Sequence, residues 1–84
     1  MAETPEERLP VSETVRVLSY ENLFKTGRWW SAVALVESFG RRQVALYLWH
    51  RRDGGWRRRQ KYVIRSRGDW ARIREVVDRL VERL

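Results

Sequence analysis

The sequence predicts an α+β domain in which a curved antiparallel four-stranded sheet precedes one C-terminal amphipathic helix. Segments with strand-like composition alternate with glycine-containing turns, and a helical repeat of apolar residues follows them. A length of 84 residues fits a single domain. Because so small a domain is marginally stable alone, it can lend an apolar face to a partner subunit.

The first half of the chain contains two predicted strands. Residues 14–20 alternate apolar and polar side chains, and residues 21–27 follow as an expected turn or single helical turn. Residues 29–38 are rich in β-branched and aromatic side chains, which predicts a strand buried largely on both faces. Adjacent strand residues face opposite ways, so one of Trp29 and Trp30 is expected in the core.

The next two strands form a hairpin over residues 43–51 and 56–65. Asp53, Gly54 and Gly55 supply its turn, since residues of this kind adopt positive φ readily. The alternation places these side chains on the expected core face: Val44, Leu46, Leu48, Tyr62 and Ile64. Tyr47 and Trp49 then point to the opposite, ligand-binding face.

Residues 1–13 contain four acidic residues, one basic residue and two prolines, with no apolar period. This composition predicts a flexible acidic tail, which leaves residues 14–84 as the folded domain. The tail lacks the basic and then apolar order of a signal peptide, and no apolar run approaches the roughly 20 residues of a membrane span. We therefore expect an intracellular protein of the cytoplasm or nucleoid.

The C-terminal segment predicts a helix that begins near Ser66 and Asp69, which match a capping box loosely. Its apolar stripe consists of Trp70, Ile73, Val77, Leu80 and Leu84, widened by Val76 and Val81. Trp70 is expected in the core. The stripe either packs entirely on its own sheet or pairs one edge with a second copy. We expect a homodimer whose interface contains Val77, Leu80, Val81 and Leu84.

Positive charge is concentrated in one part of the chain. The formal net charge is +7, and residues 41–67 hold ten basic residues against the single acid Asp53. A focused positive field attracts polyanions, of which nucleic acid is the most common. The alternative is a surface of high isoelectric point without a specific ligand.

Aromatic side chains are interleaved with the basic residues, as a single-stranded nucleic acid requires. Bases stack on flat apolar rings, and the backbone needs cations along its path. The candidate rings are Phe39, Tyr47, Trp49 and Trp56. The candidate cations are Arg41, Arg42, Arg51, Arg52, Arg57, Arg58, Arg59 and Lys61.

Other functions lack the residues that they need. The chain has no cysteine and one histidine, His50, which excludes thiol chemistry and sites of several histidines. It contains no glycine-rich phosphate loop and no paired carboxylates, so the sequence predicts neither an enzyme nor a metal or cofactor. A duplex-reading helix is not expected either, because the C-terminal helix is mixed in sign.

Four motifs, LFKTGRWW, ESFGRR, ALYLWHRRDGGW and KYVIRSRGDW, resemble the positive-cofactor-four type of transcriptional coactivator. The resemblance covers residues 23–84 and implies a single-stranded-DNA-binding domain that dimerises through its helices. It assigns DNA contacts to Phe39, Arg41, Arg42, Trp49, Arg59 and Lys61. The chain is also similar in composition to the ThermoDBP-type single-stranded-DNA-binding proteins of thermophilic archaea.

The function predicted from the sequence is therefore sequence-tolerant binding of single-stranded DNA by a basic, aromatic-bearing sheet. Two alternatives remain open. An RNA-binding module would use the same surface, because nothing in the sequence distinguishes a 2′-hydroxyl. A protein-interaction module would instead take an acidic partner on the basic face.

Overall fold

A computed structural model describes residues 7–84 and confirms the predicted fold class. The elements are β1 (Arg16–Lys25), β2 (Trp29–Ser38), β3 (Arg41–Arg52), β4 (Gly55–Ile64) and α1 (Arg67–Val81). The four strands pair with their sequence neighbours, all antiparallel, in one open sheet of order β1-β2-β3-β4. Within residues 7–84 no helix is long and apolar enough to span a membrane.

Both turns of the β2–β3–β4 meander contain two residues of positive φ. Phe39 and Gly40 have φ of 52° and 78°, and Asp53 and Gly54 have φ of 54° and 80°. Two-residue loops of this kind match the right-handed twist of the strands that they join. The bounds of β2 agree with the prediction, whereas the ends of β3 and β4 differ from their predicted limits by one or two residues.

The hydrophobic core lies on the face of the sheet that the sequence assigned to the ligand. The core cluster contains Leu9, Trp30, Ala32, Ala34, Val36, Ala45, Tyr47 and Trp49. We call this side the covered face. The opposite side, which we call the open face, bears Val33, Leu35, Val44 and Leu46. The predicted core face is therefore wrong within one chain, because the larger aromatic side chains occupy the covered face, although Ile64 is buried as predicted.

Residues 7–15 pack along the covered face, and we call them the N-terminal strap. Leu9 is buried, while Val11 and Val15 pack against the core cluster. Ser38 Oγ also donates to the carbonyl of Thr14 over 3.4 Å. These contacts differ from the flexible tail predicted for residues 1–13, of which residues 1–6 lie outside the described residues. Apolar burial by Leu9 and Val11 outweighs the polar composition around them.

Helix α1 begins as predicted but leaves the sheet uncovered. Ser66 Oγ accepts a hydrogen bond from the backbone N–H of Asp69 over 3.0 Å, which caps the helix. Among the described elements α1 contacts only β4, and none of its residues is buried. Trp70 is 46% exposed, so its predicted place in the core is wrong in the single chain. Most of the stripe therefore does not pack on its own sheet.

Candidate nucleic-acid interface

Ten exposed cations form the basic surface of the protein. They lie on β3, on β4 and in the segment that leads into α1, where residues 41–67 include only one acid. None of the ten is paired with a carboxylate of residues 7–84, whereas Arg16, Lys25, Arg72 and Arg74 are. The unpaired positive charge is therefore available to an external anion.

The pairing of β3 with β4 determines which side chains lie beside each of these cations. Its register places Arg51 opposite Trp56, and His50 opposite Arg57. The Arg51 guanidinium lies over the Trp56 ring, 5.6 Å from its centroid. Arg59 falls in the register shift between Leu48 and Trp49, where the extra residue interrupts the pairing. We call residues 51–59 the basic hairpin.

Four rings gather on the covered face beside the basic hairpin. Trp30 lies 5.0 Å from Trp49 and 5.4 Å from Trp56 between ring centroids, and Tyr47 stacks on Trp49 at 4.8 Å. Trp49 is 0% exposed and Tyr47 is nearly as buried. The predicted stacking role of Tyr47 and Trp49 is therefore wrong for this conformation, because both rings form core. Trp56, which is only partly buried, remains accessible.

The buried rings carry two unusual polar atoms. Tyr47 Oη and Trp49 Nε1 are buried without a hydrogen-bond partner among the described residues. Burial raises the pKa of the Tyr47 phenol, and the nearby Arg58 opposes that shift. Lys61 Nζ lies 5.6 Å from the centroid of the Tyr47 ring, so Lys61 lies on the covered face with Tyr47. The aromatic core thus has a basic rim.

Phe39 presents the most exposed ring of the predicted site. It is 88% exposed at the β2–β3 turn, directly before Gly40, Arg41 and Arg42. A phenylalanine at positive φ is strained, and such strain is concentrated at functional positions. The turn combines an exposed ring with two guanidinium groups that have no carboxylate partner among residues 7–84.

The structure also identifies residues that the sequence did not assign to the site. Trp29 is 37% exposed on the open face and lies 4.3 Å from His50 between ring centroids. Its neighbour Trp30 is the core residue, and Lys25 Nζ lies 3.8 Å from the Trp30 centroid. The sequence predicted that one tryptophan of the pair is buried, but not which one. The covering of the face that bears Trp30 by the N-terminal strap decides it.

The open face and α1 together form an apolar groove of about 730 Å³. Val33, Leu35, Val44, Leu46, Ile64 and Trp70 line it. The predicted dimer residues are exposed along the continuation of the helix: Val77, Leu80, Val81 and Leu84. Residues 7–84 thus leave two of their own apolar surfaces exposed.

No protein-family model, curated protein or solved structure matches this chain. Residues 7–84 also contain no group of three or more side chains placed to hold a metal ion.

Proposed function

We propose that the protein binds single-stranded DNA with little sequence preference. The observation that carries this proposal is the set of ten exposed cations on residues 41–67 without a carboxylate partner among residues 7–84. Backbone phosphates would neutralise these charges and release counterions, which favours binding. The ligand would place the protein in the cytoplasm or nucleoid.

A single strand fits this surface better than a duplex does. Phe39 and Trp56 offer rings beside guanidinium groups, and unstacked bases can use such rings while paired bases cannot. Helix α1 carries both signs of charge, as the Arg72–Glu75 and Arg74–Asp78 pairs illustrate, and so lacks the basic face of a groove-reading helix. RNA would use the same contacts, and oligonucleotide competition separates the two ligands.

The active form that we propose is a homodimer. The apolar groove and the exposed stripe of α1 lie on one chain, so a two-fold axis would bury both surfaces in both copies. Each square ångström of apolar surface removed from water contributes on the order of 25 cal/mol. Pairing would also bring two basic surfaces together, which raises the affinity for a long strand.

The salt dependence of oligo(dT) binding tests the proposed function. If about five phosphates are neutralised, log K falls with log salt at a slope of roughly −3.5, from about −0.7 per phosphate on single strands. Changing Arg57, Arg58 and Arg59 together to Gln should reduce that slope by about 2. A matched control removes the same charge from α1 by changing Arg72, Arg74 and Arg79 to Gln.

The control should keep the wild-type slope. A wild-type slope near zero, or equal slopes for the two triple variants, would contradict binding by the basic hairpin. Equal-length oligo(U) in competition with oligo(dT) decides between DNA and RNA, since a strong preference for oligo(U) would favour an RNA-binding module. Direct binding of an acidic polypeptide, with no binding of either oligonucleotide, would favour the protein-interaction alternative.

A further inference from the structure

The carboxylate of Glu7 lies among three side-chain donors of strand β1. Tyr20 Oη donates to Glu7 Oε1, and Asn22 Nδ2 lies 3.5 Å from the same oxygen. Lys25 Nζ lies 3.1 Å from Glu7 Oε2. We call Tyr20, Asn22 and Lys25 the anion cradle. Its occupant in this structure is an anion supplied by the strap of the same chain.

The cradle is held in place by the core as well as by Glu7. Asn22 Oδ1 accepts a hydrogen bond from Trp30 Nε1 over 2.7 Å, which turns the amide donors toward Glu7. Lys25 Nζ rests on the ring of the same tryptophan, 3.8 Å from its centroid. Trp30 is buried, so two of the three donors keep their orientation when Glu7 leaves.

Rings and cations connect the cradle to the basic hairpin across the sheet. Lys25 lies on Trp30, the Trp30 centroid is 5.4 Å from that of Trp56, and Arg51 lies over Trp56. The path runs from β1 to β4 over three interstrand spacings, which is about 14 Å. A flexible polyanion bound at the hairpin could therefore reach the cradle.

We propose that the anion cradle binds a phosphate group of the nucleic-acid strand and that Glu7 occupies it in competition. The proposal rests on the proposed function for the identity of its ligand. A phosphodiester presents two anionic oxygens, as the Glu7 carboxylate does, and accepts charge-assisted hydrogen bonds from the same donors. Because Glu7 is tethered, its effective concentration at the cradle is high. The strap therefore lowers the affinity for nucleic acid until a phosphate displaces Glu7.

Replacing Glu7 without removing the strap tests the competition. Glu7→Gln should tighten oligo(dT) binding at low salt by about fivefold, as expected for the loss of one competing charge pair. Glu13→Gln is the matched control, since Glu13 is an exposed residue of the strap whose side chain makes no hydrogen bond with the described residues. It makes the same charge change away from the cradle. Equal effects of the two variants would overturn the proposal.

The Lys25→Gln background shows whether the tighter oligo(dT) binding expected of Glu7→Gln depends on the anion cradle. With Lys25 replaced, Glu7→Gln should change the affinity no more than Glu13→Gln does, because the phosphate has lost its main partner. A full fivefold gain in the Lys25→Gln background would also overturn the proposal, since the strap would then act elsewhere.

Titration of the ¹⁵N-labelled Glu7→Gln variant with inorganic phosphate separates this proposal from the proposed function. We expect the Asn22 side-chain amide to shift, and the shift to weaken when Tyr20→Phe is added. Phosphate binding at Asn22 without oligonucleotide binding would support the cradle and contradict the proposed function. Oligonucleotide binding that leaves the Asn22 amide unchanged in both titrations would contradict the cradle alone.

Discussion

Tyr47 and Trp49 show how alternation can identify a pair of faces without identifying the core. The sequence placed both rings opposite Val44, Leu46 and Leu48, and the β2–β3 register confirms that separation. Both faces are apolar, however, and the strap covers the one that bears the larger rings. The pattern could not reveal this choice, because it depends on residues outside the strands.

The hydroxyl of Tyr47 gives a prediction at the scale of one residue. Tyr47→Phe should leave the free energy of unfolding unchanged or raise it by up to about 1 kcal/mol, because a buried hydroxyl without a partner destabilises the fold. Tyr20→Phe is the control, since its hydroxyl donates to Glu7 and its loss should cost about 1 kcal/mol. Urea denaturation measures both. A loss above about 1 kcal/mol in Tyr47→Phe would show that its hydroxyl is satisfied.

Glycine-containing turns located β2, β3 and β4 to within two residues of their observed bounds. Residues 29–38 match β2 because Gly27 and Gly40 lie just outside the strand. Strand β1 runs to Lys25, beyond the predicted end at residue 20, because polar residues such as Glu21 and Asn22 are tolerated on an edge strand. The strap was missed because two prolines and several acids conceal the apolar contacts of Leu9 and Val11.

The strap predicts a pH dependence of stability. Hydrogen bonds from Tyr20 and then Lys25 lower the pKa of Glu7 below its ordinary value of 4.5. A carboxyl with a lowered folded pKa stabilises the fold above its unfolded pKa, and this contribution is lost as the pH falls through the folded pKa. At neutral pH the free energy of unfolding of wild type should therefore exceed that of Glu7→Gln, by less than about 1 kcal/mol. In acid this difference should vanish.

Urea unfolding of the two proteins across this pH range measures the difference directly. Glu13→Gln serves again as the control, and its stability should follow that of wild type at every pH. If the difference in the free energy of unfolding between wild type and Glu7→Gln keeps its neutral-pH value below pH 4.5, the pH dependence does not come from the Glu7 carboxyl.

In the tertiary structure, the described residues 7–84 leave the open face and the stripe of α1 exposed. Val81→Glu with Leu84→Glu should give monomers, because two charges would enter the interface that we propose. Arg79→Gln with Arg83→Gln changes the net charge equally and should leave dimers. Sedimentation at tens of micromolar compares the three proteins. A monomeric wild type would contradict the dimer.

The proposed function predicts that a single strand of DNA contacts the basic hairpin and the β2–β3 turn. Heteronuclear NMR of the ¹⁵N-labelled protein with oligo(dT) tests this prediction, because every backbone amide reports its own surroundings. We expect the largest shifts over residues 51–59 and at Phe39, Arg41 and Arg42, with small shifts along α1. Shifts confined to α1 and the open face, or no shift at saturating oligonucleotide, would contradict this prediction.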